Sequence, residues 1–168
     1  MSLSMYQASV PAFTRSLNML SKLLTKAEAH AAANGLAPAE LLEARLAPDM
    51  YPLTRQIQAA CDAAKFGAAR PAGVTPPSHP DTETTFAELQ ARIKAVSDFI
   101  SGIGEAAFAG AETRAVTLKT GSGELGFTGQ DYLLNFALPN FYFHAVTAYD
   151  ILRHKGLPLV KRDFLNLG

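Results

Sequence analysis

A helix that is apolar on every side has to be covered on every side. The stretch from Thr128 to Lys155, TGQDYLLNFALPNFYFHAVTAYDILRHK, reads as such a helix. Phe136, Phe141, Tyr142, Phe143 and Tyr149 spread around nearly its whole circumference. The segment therefore needs other helices of the same chain or a second subunit against it. It predicts the core helix of a helical bundle, and a homodimer formed through this helix or the face beside it. Pro139 lies inside the pattern and predicts a kink there, or a split into two segments.

The chain supplies the partners this helix requires. Phe13, Leu17, Leu20 and Leu24 recur at intervals of four, three and four, on one face of a first helix from Ser4 to Ala33. Asn34-Gly35 stops it. A second helix opens at Pro52 and runs to about Arg70, with Leu53, Ile57, Ala60 and Ala64 inward. Thr85 and Glu88 form a capping box for a third, whose stripe is Phe86, Leu89, Ile93, Val96, Ile100 and Ile103, ending at Gly102 or Gly104.

The connections are long. Leu36 to Tyr51 is a linker with a short helix over Pro38 to Leu46. Pro71, Gly73, Pro76, Pro77 and Pro80 mark a loop. Ala115–Leu118 and Glu124–Phe127, around the turn Thr120–Gly123, predict a small hairpin. The tail from Leu157 to Gly168 reads as a coil anchored by Leu159, Val160 and Phe164. The expected fold is all-α: a four-helix bundle with crossover connections, a β-hairpin between helices three and four, and one domain over residues 1–168.

Fifteen basic and fifteen acidic side chains balance, with no one-sided basic stripe, so nucleic acid is not an expected partner. No window has the apolar length of a membrane span, and the N-terminus lacks the pattern of a signal peptide. The expectation is a cytoplasmic protein without a membrane partner. Cys61 is the single cysteine, which excludes an intramolecular disulfide and a cysteine-based metal cluster. It reads as a small buried side chain, since nothing in the sequence supplies a base beside it. The glycines of TGSGELGFTG lack the Gly-Lys-Ser/Thr ending of a phosphate loop and read as hairpin and cap glycines.

His144 is the one histidine among apolar neighbours. Its helical face includes Ala137, Asn140, Ala148 and Ile151. A metal site on one helix needs a second ligand three or four residues away. Thr147 and Ala148 stand ahead, and Asn140, a poor ligand for zinc or nickel, stands four behind. Three readings of His144 remain: a core imidazole hydrogen-bonded to a backbone carbonyl or an Asp or Tyr side chain, a pocket residue touching a ligand, or a metal ligand. His30, His79 and His154 provide no i, i+4 partner. Asp49, ahead of the second helix, reads as a cap or as a partner for pocket donors.

Taken together, SMYQASVPAF, RLAPDMYPLTRQIQAACDAAK, FTGQDYLLNFALPNFYFHAVTAYDILRHKG and KRDF resemble an uncharacterised bacterial family, a domain of unknown function within the DinB-like (YfiT-like) metalloenzyme superfamily. The resemblance covers nearly the whole chain. It implies a four-helix bundle, often dimeric. It implies a metal held by one histidine from helix two and an H-x-x-x-H pair from helix four, in a superfamily that includes thiol-dependent transferases and hydrolase-like members. The first histidine of that pair matches His144. The second matches Ala148, and the helix-two position falls near Ala59.

The expected function is therefore small-molecule binding in a pocket between helices two and four, near His144, Asn140, Asp49, Gln56 and Tyr6, with no metal and no cofactor. The alternative is a metal- or thiol-dependent transferase or hydrolase of the superfamily. An interaction role through the aromatic helix is the third. Whether the chain catalyses anything is left open by its residues.

Overall fold

In the computed structural model, which describes residues 3–121 and 123–167, four long helical runs carry the core. Helix α1 (Met5–Ala33) starts on Ser4, whose hydroxyl accepts from the Gln7 N–H at 3.2 Å while the Gln7 side chain accepts from the Ser4 N–H at 3.2 Å. Its inward stripe is the expected one, from Phe13 to Ala31. Pro11 does not interrupt α1. It lies exposed in the second turn of an unbroken helix, where the lost N–H faces solvent.

Helix α2 (Pro38–Leu42) ends four residues earlier than expected, with Leu41 and Leu42 buried beneath it. Helix α3 (Leu53–Ala72) runs longer than expected and takes Pro71 into its last turn. Gly73 stops it in the left-handed conformation, at φ 70°. The end is held by Arg114, whose Nη1 donates to the Pro71 carbonyl and, at 3.3 Å, to that of Ala107. Helix α4 (Phe86–Ser101) opens on the Thr85–Glu88 capping box.

A 3₁₀ turn at Glu105–Phe108 leads into the hairpin, β1 (Ala115–Thr120) paired antiparallel with β2 (Gly123–Thr128) in the register Ala115↔Thr128 to Thr120↔Gly123. Ser122 of the expected turn lies outside the described residues, as does Gly168. Val116 and Leu118 are the hairpin's buried side chains, and β2 is almost wholly exposed.

The last long run has three parts: α5 (Gly129–Asp131), a π-helical segment (Tyr132–Ala137) and α6 (Leu138–His154). Pro139 therefore neither breaks nor simply kinks the run. The backbone widens ahead of it, with the Leu138 N–H donating to the Leu133 carbonyl five residues back. A wider turn keeps the proline ring off the carbonyl one turn earlier. The tail corrects the expectation of a plain coil. Lys161–Phe164 form a short helix, α7. Leu157 and Leu159 are buried, whereas Val160 is 59% exposed and anchors nothing. Phe164 packs edge-on against Tyr149.

Helix α3 is the hub. It packs against α6, the π segment, α4 and α1, while α1 also packs against α4. The buried apolar side chains form one cluster across these helices and reach the hairpin through Val116 and Leu118. Among the described residues no helix is long and apolar enough to cross a membrane.

Two glycines set how closely the pieces approach. A Cβ on Gly129 would stand 2.0 Å from the Ala111 carbonyl oxygen, so the hairpin can enter α5 only through glycine. A Cβ on Gly67 would stand 2.7 Å from the Phe13 ring and 3.2 Å from the Ala137 Cβ. Phe13 is fully buried and meets Phe141 edge-on at 5.3 Å, so it has no room to retreat. Gly67→Ala gains about 1 kcal/mol of helix propensity and loses more to overpacking, about 1–3 kcal/mol. The expected outcome is a lower urea midpoint with an unchanged slope; a raised midpoint would show that the ring moves freely.

Candidate functional site

Helix α3 buries Leu53, Ile57, Ala60 and Ala64 on one side. Beside that stripe runs another at helical spacing: Arg55, Ala59, Asp62, Ala63, Phe66 and Arg70. It faces the run that follows the hairpin, which contributes Tyr132, Phe136, Ala137, Asn140 and His144. Tyr51 closes one end. Between them lies a cleft of about 240 Å³. The π segment supplies three of its wall residues, and such segments recur at functional sites. Alanines line the middle, so the floor is flat and apolar. The ends are polar and aromatic.

His144 is buried, and its ring protonation is fixed by its neighbours. Gln56 donates from Nε2 to the Tyr51 carbonyl at 3.2 Å. That orients Gln56 Oε1 toward His144 Nδ1, at 2.7 Å. An amide oxygen only accepts, so Nδ1 carries the proton and Nε2 keeps its lone pair. Burial, and then the positive charge of Arg55, hold the imidazole below its usual pKa. At neutral pH it is an uncharged hydrogen-bond acceptor or base. Tyr51 stacks over it at 6.4 Å, and Phe143 meets it edge-on at 5.3 Å.

The other end is built around Arg70. Its guanidinium lies 4.4 Å from the centre of the Phe66 ring and 5.5 Å from that of Tyr132. Its Nη1 donates to the Tyr132 hydroxyl at 2.8 Å. Burial pushes the Tyr132 phenol pKa up, against the pull of Arg70, so the hydroxyl stays protonated.

Behind the cleft stands a buried ion network. Arg92 is almost fully covered, and its Nη2 bonds Asp62 Oδ1 at 3.0 Å and Asp81 Oδ1 at 3.0 Å, while Nη1 bonds Glu83 at 3.1 Å. Lys65, equally covered, donates to Asp62 Oδ1 at 2.9 Å and to His79 Nδ1 at 3.3 Å. Burial would lower the Arg92 pKa, but Glu83 and Asp62 outweigh it and raise it. The network ties the proline-rich segment after α3 to α3 and α4. It also occupies Asp62 Oδ1, one of the two oxygens of the cleft's carboxylate. Cys61 lies fully buried beside it, with burial pushing its thiol up to about 12. A thiol at that value is not a nucleophile.

Of the five residues expected to build the pocket, three come together. His144 and Asn140 line the cleft, and Gln56 holds the imidazole from behind. Asp49 does not join them; it is exposed in the loop before α3. Tyr6 does not join them either; it packs edge-on against Phe108 at 5.7 Å, on the α1 side of the 3₁₀ turn. The hydrogen-bond partner of His144 is a glutamine, not the carbonyl, Asp or Tyr expected. Arg55, Phe66, Arg70 and Tyr132 were missed. Their signal was the second stripe of α3, mixed in charge and aromaticity beside the apolar one.

The metal centre implied by the family resemblance does not fit these residues. Ala59 lines the cleft with His144, where the helix-two histidine would stand, and it offers no donor. Ala148 is fully buried and offers none either. His144 has one nitrogen left, Asn140 is a weak ligand, and Asp62 is tied to Lys65 and Arg92. Among the described residues, no three His, Cys, Asp or Glu side chains are grouped to hold an ion.

The sequence profile of the family described as a domain of unknown function (DUF1993) matches residues 5–165. Among solved structures, the chain is similar to the crystal structure of a DinB family member protein from Shewanella denitrificans, with 42% identity and a TM-score of 0.87. The likeness covers 95% of this chain and 90% of that one. No curated protein matches the chain.

Two outcomes follow from this geometry. His144 and His79 both have lowered pKa values, so the unfolded chain takes up protons first as pH falls. Their contribution to stability is fully present above the unfolded value of 6.5 and is lost as pH falls below it. Melting temperature should drop between neutral and weakly acidic pH, and His144→Gln should flatten the drop. Gln56→Leu leaves Nδ1–H without an acceptor and should cost about 1–3 kcal/mol in urea unfolding. Nitrogen NMR of the wild-type imidazole should show the Nδ1–H tautomer; an Nε2–H ring would contradict the assignment.

Proposed function

The chain belongs to the family of the domain of unknown function DUF1993, and from that premise we propose that it is a DinB-like small-molecule-binding protein whose pocket works without the superfamily's metal. The observation that carries the reading is His144 itself. Its Nδ1–H is held by Gln56, and the ring, with Nε2 free, lines a cleft where Ala59 takes the place of a second imidazole. Such a ring is pre-set to accept one hydrogen bond from a ligand. The flat alanine floor and the aromatic ends supply the apolar contact that a small organic molecule needs. In this reading residues 1–168 form one domain, the four long helical runs form a four-helix bundle, and the protein works in the cytoplasm without nucleic acid or membrane.

Metal analysis separates this reading from a metal-dependent transferase or hydrolase. Protein purified without an affinity tag should carry substoichiometric zinc, nickel and iron. One equivalent of any of them, lost in His144→Ala, would replace the reading with the metalloenzyme.

A homodimer belongs to the same proposal. On α6, Phe143 is 59% exposed, with Tyr142 and Val146 each 41% exposed beside it. Three large apolar groups on one exposed face support a subunit contact. Light scattering after size exclusion should give twice the chain mass at micromolar concentration, and Val146→Glu should halve it. A wild-type monomer would remove the dimer from the proposal and leave the pocket untouched.

A further inference from the structure

We propose that the Arg70 end of the cleft is an anion subsite, and that the ligand is a small organic acid, its carboxylate or phosphate on Arg70 and its flat apolar body along the alanine floor. The inference rests on the small-molecule reading above and names the chemistry of its ligand.

The two arginines along the cleft differ in one respect. Arg55 is paired with Asp81. Among the described residues, Arg70 has no carboxylate within ion-pair distance; its one hydrogen bond goes to a neutral phenol. The nearest acid on the same face of α3, Asp62, stands eight residues back, about 12 Å along the axis, and is tied to Lys65 and Arg92. Among the described residues, the guanidinium at this end of the cleft carries no ion pair.

The guanidinium is also held for recognition. Stacking on Phe66 and the bond to Tyr132 fix its plane and use one of its five N–H groups. The remaining donors form a fork that matches two oxygens of a carboxylate or phosphate. A lysine would offer a point charge without that fork. Phe136 stacks on Tyr132 at 5.7 Å, remains 36% exposed, and extends the apolar wall away from the arginine. Ala63 and Ala137 leave space there for a ring. A cleft of about 240 Å³ has room for a single-ring acid.

The test is an amide NMR titration of the intact chain with benzoate, phenyl phosphate and benzyl alcohol, repeated on Arg70→Gln and Arg70→Lys. The expected result is millimolar binding of at least one acid, with shifts confined to the cleft. Binding should weaken about tenfold in Arg70→Gln and recover only in part in Arg70→Lys. It should also weaken with added salt, and benzyl alcohol should bind more weakly than the acids. Equal binding of benzyl alcohol and the acids, or acids indifferent to Arg70→Gln, would overturn the anion subsite while leaving the cleft as a binding site. Shifts at the cleft from none of the three probes would overturn both. Stronger binding of phenyl phosphate than of benzoate would assign the subsite to phosphate esters, and the reverse to carboxylic acids.

Discussion

Three helical segments meet at Gly67, and the shape of the molecule on that side depends on the missing side chain. Phe13 of α1 lies against the glycine from one direction and Ala137 of the π segment approaches from another. The contact brings the last helical run close enough to α3 for its wall residues to face Asp62, Phe66 and Arg70. A methyl group there would push the wall outward or force the Phe13 ring into Phe141. The narrowness of the cleft is thus a consequence of packing in the core behind it, and so is the alignment of its two walls.

A second constraint acts from the opposite side of α3. Burying Lys65 and Arg92 without partners would cost several kcal/mol per ion. Three carboxylates offset that cost here: Asp62 on the helix, and Asp81 and Glu83 from the loop ahead of α4. The loop is rich in proline and has no periodic structure of its own, so these charges give it its place. The same network occupies Asp62 Oδ1, and among the described residues Arg70 is left without an ion pair. The electrostatic character of the pocket is therefore set partly by residues that do not line it.

Much of the fold was legible in the residues. The stripes of α1, α3 and α4 are buried where their spacing put them, the Thr85–Glu88 capping box starts α4, and the hairpin falls where β-type composition interrupts the helical pattern. The errors fall at helix ends and prolines. Pro71 is inside α3 because Arg114, forty-three residues later, satisfies its carbonyl. Pro139 is accommodated by a π segment that no local pattern announces. Tyr6 and Asp49 were drawn to the pocket by polarity alone, while Arg55 and Arg70 were not read as pocket residues.

The sequence by itself determined the helical class, the Thr85 cap, the family resemblance and the alanines at positions 59 and 148, because each of these is a matter of residue type and local spacing. Only the tertiary structure decided which nitrogen of His144 carries the proton, which arginine is paired and where the cleft opens. Those outcomes depend on groups far apart in the chain: Gln56 and His144 are 88 residues apart, and Arg70 and Tyr132 are 62 apart. Distances of that kind are set by packing, and at Gly67 by the space that one absent Cβ leaves for Phe13 and Ala137.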